Sequence, residues 1–129
     1  MGVIYAASLR TTRMNAVESA LDGGAGAATL EIGTTGMASV LVTFTLSATA
    51  GTVSGDTLTG SSMPKTATAG NTGTAGEARL KDGSGNIIVS GLTVGTSGTN
   101  VVVSPSTSIT SGQSCSLSSL TLTHNTAGV

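Results

Sequence analysis

The side chains able to do chemistry are few in this chain and widely separated. It has one His, one Cys and one Tyr, with 5 Lys and Arg against 6 Asp and Glu. General acid–base catalysis needs a positioned imidazole, carboxylate or amine, and nucleophilic catalysis needs an activated Ser, Cys or Thr beside such a base. His124 has no second His, Cys or carboxylate at ligand spacing, so it reads as a strand-end or interface hydrogen-bonding group. Glu31, Asp56, Glu77 and Asp82 occur singly, which gives neither a glycosidase pair nor a calcium loop and leaves them as solvated charges. The run Asp22-Gly23-Gly24-Ala25-Gly26 follows a helical pattern instead of preceding one. That is the wrong order for cradling phosphate, and the run reads as a helix stop and flexible connection. No enzymatic activity, cofactor or metal is expected.

Two other groups are candidates for contact with a partner. Arg10 and Arg13 are three apart in Arg-Thr-Thr-Arg, so a helix sets them on neighbouring positions of one face, where they could pair with carboxylates of another chain. The alternative is a pair of surface cations near a helix start, mildly unfavourable against the helix dipole. Ahead of them, residues 1–7 read as an extended arm in which Val3, Ile4 and Tyr5 supply apolar and aromatic surface. Val3, Ile4, Tyr5, Arg10 and Arg13 are therefore the expected partner interface.

Composition bounds the rest. A formal charge of −1 without any run of like charges lacks the footprint of a nucleic-acid binder, and an anionic membrane surface is equally unsuited. No stretch approaches the ~18 apolar residues of a spanning helix or resembles a secretory apolar core, so neither membrane insertion nor export is expected. Much of the 38% hydrophobic fraction is Ala, which adds little apolar area, and the 19 Gly raise the backbone entropy lost on folding. The core should be thin, and burial against other subunits would offset that. Cys115, alone and flanked by Ser, reads as a small buried or half-buried strand residue.

The elements that must hold these residues follow from periodicity. Ser8 is placed to cap a helix over 8–22, in which Met14, Val17 and Leu21 recur at helical spacing while Arg10, Arg13, Glu18 and Asp22 form a polar face, and Gly23 and Gly24 stop it. From residue 28 the period becomes two. Strands are expected over 28–32 and over 38–46, where Val40, Val42, Phe44 and Leu46 share a face, then over 52–58, 63–68 and 77–81. Asp82-Gly83-Ser84-Gly85 has the composition of a hairpin connection into 86–90. Further strands are expected over 92–94 and 101–103, with a break at Ser104-Pro105-Ser106. The last strand, 115–124, changes phase between Leu117 and Leu120, which predicts a bulge near Ser118 and Ser119. Residues 67–76 read as a long flexible loop or a poorly ordered strand pair. The expected architecture is mainly β: an antiparallel β-sandwich or jelly roll of about eight or nine strands. Its parts are an arm over 1–7 and a single domain over 8–129 led by the helix.

The segments Leu9-Arg10-Thr11-Thr12-Arg13-Met14-Asn15-Ala16-Val17 and Leu21-Asp22-Gly23-Gly24-Ala25-Gly26-Ala27, with the strand Leu30-Glu31-Ile32, resemble the start of a family of small tailed-phage virion proteins. The likeness continues at Leu80-Lys81-Asp82-Gly83-Ser84-Gly85-Asn86. It closes with Ser108-Ile109-Thr110-Ser111-Gly112-Gln113 and Leu120-Thr121-Leu122-Thr123-His124. After Ile32 the chain departs from the family pattern, lacking a longer polar turn with Asp and Pro. The resemblance implies a capsid decoration, or cement, protein on the outer surface of a phage head, with the major capsid protein as partner and self-association as a dimer or trimer. A tail tube or fibre component is the alternative. A carbohydrate-binding sandwich is a third reading, weakened by the near absence of aromatic platforms for sugar rings.

Overall fold

Period-two alternation becomes strands throughout the chain after one leading helix. The computed structural model describes residues 6–24, 26–47, 49–61 and 63–123, and the structural statements below concern these residues. Helix α1 (Ala7–Asp22) precedes β1 (Thr29–Gly33), β2 (Val40–Thr45), β3 (Gly51–Ser54), β4 (Thr57–Gly60), β5 (Lys65–Thr68) and β6 (Gly73–Thr74). Then come β7 (Glu77–Lys81), β8 (Ile87–Leu92), β9 (Val94–Gly95), β10 (Val101–Ser104), β11 (Ser108–Ile109) and β12 (Ser114–Thr123).

One sheet has the order β2-β1-β7-β8, and the other β3-β4-β12-β10-β9, with β5 also pairing with β12. β6 and β11 form a separate small pair. The fold is thus mainly β, with antiparallel sheets consistent with a β-sandwich and one helix at its start. One pair differs: β9 and β10 run parallel, Val94 opposite Val101.

Strand β12 is the spine of the second sheet. Its first half pairs with β5 and its second half with β4, while β10 lies along it. Val102 faces Ser119 but Val103 faces Leu117, so Ser118 is an extra residue in the ladder. This bulge is the expected one, and its reason is visible in the core: Leu117 and Leu120 are both fully buried, although an unbroken strand would point them to opposite faces. Phe44, Leu30, Ile32 and Leu80 of the first sheet join Leu58, Val101, Leu117 and Leu120 of the second in one apolar cluster. Cys115 lies in it as a free buried thiol, and burial pushes its pKa up.

Several expectations need correction. Helix α1 begins at Ala7 with Ala6 at its N-cap and no side-chain cap; Ser8 lies inside the first turn, where its carbonyl accepts from Thr12 Oγ1 at 3.0 Å. Residues 52–58 form a hairpin instead of one strand, because Gly55 takes a φ of +61° that turns the chain between β3 and β4. Twelve strands are described instead of eight or nine, in part because β6, β9 and β11 are two-residue pieces that carry no alternation to read.

Residues 67–76 are neither a free loop nor loosely paired. The amides of Ala69, Gly70, Ala75 and Gly76 donate to Gln113, Leu41, Thr107 and Gly33, and Asn71 Nδ2 donates to the Val40 carbonyl at 2.8 Å. This segment covers Leu41, whose side chain lies out of phase with Val42 and Phe44 yet is only 1% exposed, whereas Val40 is merely half-buried. A Cβ at Gly73 would stand 3.0 Å from Leu41 Cδ2, so the missing side chain makes that room.

Candidate interaction surface

The polar face of α1 carries Arg10, Arg13, Glu18 and Asp22, and it meets the turn between β3 and β4. Met14 and Leu21 are buried and Val17 packs partly against the core, as their helical spacing requires. Around this narrow stripe the contacts are polar. Arg10 Nε donates to Asp56 Oδ2 at 3.1 Å, and Thr11 Oγ1 donates to the Gly55 carbonyl at 2.5 Å. At the other end of the helix, the Ala50 amide donates to Asp22 Oδ1 at 2.9 Å. Glu18 sits one turn before Asp22. A hydrogen bond shared with Asp22, burial and the neighbouring charge together push its pKa up to about 6.

After α1, Gly24 and Gly26 lie close against the backbone of Gly83. A Cβ on Gly24 would collide with the backbone of Gly83, and one on Gly83 would collide with Gly26. Glycine is needed here for approach. The facing turn is the expected hairpin connection: Asp82 Oδ1 accepts from the amides of Ser84 and Asn86, each at 2.9 Å, and Gly85 takes a φ of +91°. Hydrogen bonds from the Asn86 backbone and side chain hold the Asp82 carboxyl below its usual range.

On the first sheet, Glu31 is bracketed by Arg79 at 2.6 Å and Lys81 at 3.2 Å. Burial alone would raise the Glu31 pKa, but the hydrogen bonds and charge of the two cations outweigh it and hold it low. The alternation Glu77-Ala78-Arg79-Leu80-Lys81 places these charges opposite the buried Ala78 and Leu80. This is a cross-strand ion network rather than a pair of catalytic acids.

Two openings reach toward the core. A groove of about 250 Å³ lies between α1 (Met14, Val17), β8 (Val89, Leu92) and the end of β12 (Leu122, Thr123). Asn100 also lines it, but its carbonyl oxygen accepts from Thr93 and its amide donates to Thr121. A second, of about 330 Å³, follows β2 from Val40 to Thr43 and is closed by Thr68, Gly70 and Asn71. Among the described residues, neither is lined by an ionisable side chain. Among the described residues no three His, Cys, Asp or Glu are grouped to hold a metal, and no helix is long and apolar enough to cross a membrane.

Of the residues expected to meet a partner, Arg10 is half-buried and engaged with Asp56 of its own chain, while Arg13 on the same helix is exposed. Val3, Ile4 and Tyr5, like His124, lie outside the described residues. Leu9 and Ile87 are the large apolar side chains most open to solvent, 42% and 53% exposed. Neither was singled out by the sequence, because exposure of a single Leu or Ile leaves no mark in the pattern. Comparisons of this chain with protein-family models, with curated proteins and with solved structures find no match.

Proposed function

We propose that this chain is a capsid decoration, or cement, protein. It sits on the outer surface of a tailed-phage head, contacts the major capsid protein and associates with itself as a dimer or trimer. One observation carries the reading. Among the segments that resemble phage virion proteins, those at 21–24 and 30–32 meet the one at 80–86 in the fold, although they are far apart in sequence. The glycines that end α1 lie backbone to backbone on the Asp82 turn, and α1, β1 and the turn between β7 and β8 form one continuous region.

The physical role follows from composition. A sandwich rich in Gly, Ser and Thr has a limited core of its own, and contacts with neighbouring subunits would add to it. Repetition over a shell turns modest individual contacts into large combined stability. Arg13 and the arm containing Val3, Ile4 and Tyr5 are the residues assigned to those contacts. Arg10 is assigned to bracing the helix.

The test compares heads assembled with and without the protein under heating or osmotic shock. Heads that lack it should rupture at lower temperature and after milder shock. Equal resistance would overturn the cementing role.

A further inference from the structure

The outer face of the second sheet is a lattice of hydroxyls. Leu58, Leu117, Leu120 and Leu122 are buried in the core, so their neighbours along β4 and β12 point outward. The registers then align two rows across three strands, Thr52-Thr59-Thr121 and Ser54-Thr57-Thr123. Along the first half of β12, Ser114 and Ser116 flank the buried Cys115 and stand opposite Thr68 and Thr66 of β5. Thr52, Ser54, Thr59, Thr66, Thr68 and Thr123 are all exposed, so helix α1 leaves this face open.

Charge is placed elsewhere. Among the described residues, this face carries no ionisable side chain. Lys65 of β5 lies opposite the buried Leu117, in the inward phase, and its Nζ donates to Ser47 Oγ at 2.7 Å. Asp56 sits in the turn at the rim and pairs with Arg10. The outer face of the first sheet differs, with Glu31, Arg79 and Lys81 on it. Near a twofold axis a charge meets its own copy and is repelled, whereas a hydroxyl both donates and accepts and so bonds to an identical hydroxyl. Thr57 Oγ1 and Thr123 Oγ1 make such a bond within the chain, at 3.2 Å. The hydroxyl face is therefore complementary to itself.

Its size sets the strength of the contact. Ten residues give β12 a length of about 34 Å, and three to four strands about 4.8 Å apart make the face about 14–19 Å wide. The resulting area, about 500–650 Å² per copy, is below the roughly 800 Å² of a standard stable interface and matches weak, reversible association.

We propose that this face is where two copies of the chain meet, packed sheet against sheet about a twofold axis in a weak dimer. The dimer is the self-association included in the function proposed above and rests on that reading. Threonine methyls leave water, and hydroxyls exchange water for hydroxyls of the other copy. A weak contact suits a protein held at high local density on a repeating shell.

Sedimentation equilibrium of the full chain over a concentration series tests the face. The unmodified chain should dimerise with a Kd on the order of 0.1 mM. Thr59→Lys on β4 and Thr66→Lys on β5, both at exposed positions, should each weaken the dimer about tenfold or more, because each sets like charges into the contact. Thr45→Lys, exposed on the first sheet, should leave it unchanged. Circular dichroism checks that each variant keeps the fold. A dimer that persists in both variants of the second sheet, or is weakened equally by Thr45→Lys, would overturn the face while leaving self-association standing. A trimer would do the same, because one twofold face closes at two copies. A chain that is monomeric up to about 1 mM would overturn the face and the self-association together.

Discussion

The sandwich interior and the seat of α1 are stabilised in opposite ways. Inside the sandwich, Phe44, Leu30, Leu58, Leu117 and Leu120 are fully buried, and the order of the core comes from apolar side chains alternating along strands. At the helix seat, among the described residues, Met14 and Leu21 are buried, and the polar ties include Arg10 to Asp56, Thr11 to Gly55 and Asp22 to Ala50. Apolar burial is non-directional and insensitive to pH. Polar ties are individually weak, and they depend on protonation and salt. The helix is therefore the part of this protein most able to respond to conditions, while the sheets keep their shape.

The sharpest way to break that contrast is to damage the interior. Phe44→Ala should lower unfolding stability by about 3–5 kcal/mol in urea denaturation, because it leaves a cavity where the chain's one Phe stood. A cost near zero would mean that the sandwich does not depend on this side chain. Leu21→Ala, at the helix seat, should cost about 2–3 kcal/mol, and its effect should show first as loss of helical circular dichroism. If sheet and helix signals were lost together in that variant, the two regions would be one cooperative unit.

A third change probes the junction between them. Gly83→Ala forces a methyl group into the backbone of Gly26 and should destabilise by about 1–3 kcal/mol by thermal melting. Gly36→Ala, at an open position where a Cβ would meet nothing, separates strain from crowding, since Gly36 also has a positive φ of 75°. The smallest effect belongs to Arg10 and Asp56. These side chains are 15% and 28% exposed, and a double-mutant cycle between them should give a coupling of about 0.5–1 kcal/mol that shrinks in high salt. A coupling unchanged by salt would move this pair from the surface class into the interior one.

The same contrast explains what could be read from the sequence. Val42, Phe44 and Leu46 announce their strand by alternation, and the phase change between Leu117 and Leu120 announces the bulge at Ser118, since both signals lie within a few residues. The Asp82 turn is legible for the same reason: its hydrogen bonds close over two and four residues. The helix seat was not legible. Arg10 finds Asp56 46 residues away, and nothing local distinguishes that pair from two solvated charges. The glycines after α1 suggested freedom of motion because close backbone approach and flexibility use the same residue. Leu41 lies on the face away from Val42 and Phe44, and its burial depends on a segment some thirty residues further on, which period two alone does not show.

The most direct measurement is imaging of intact phage particles containing this protein. The account predicts density of the size of this sandwich on the outer face of the head, repeated at junctions between capsid subunits. Density confined to the tail would contradict it.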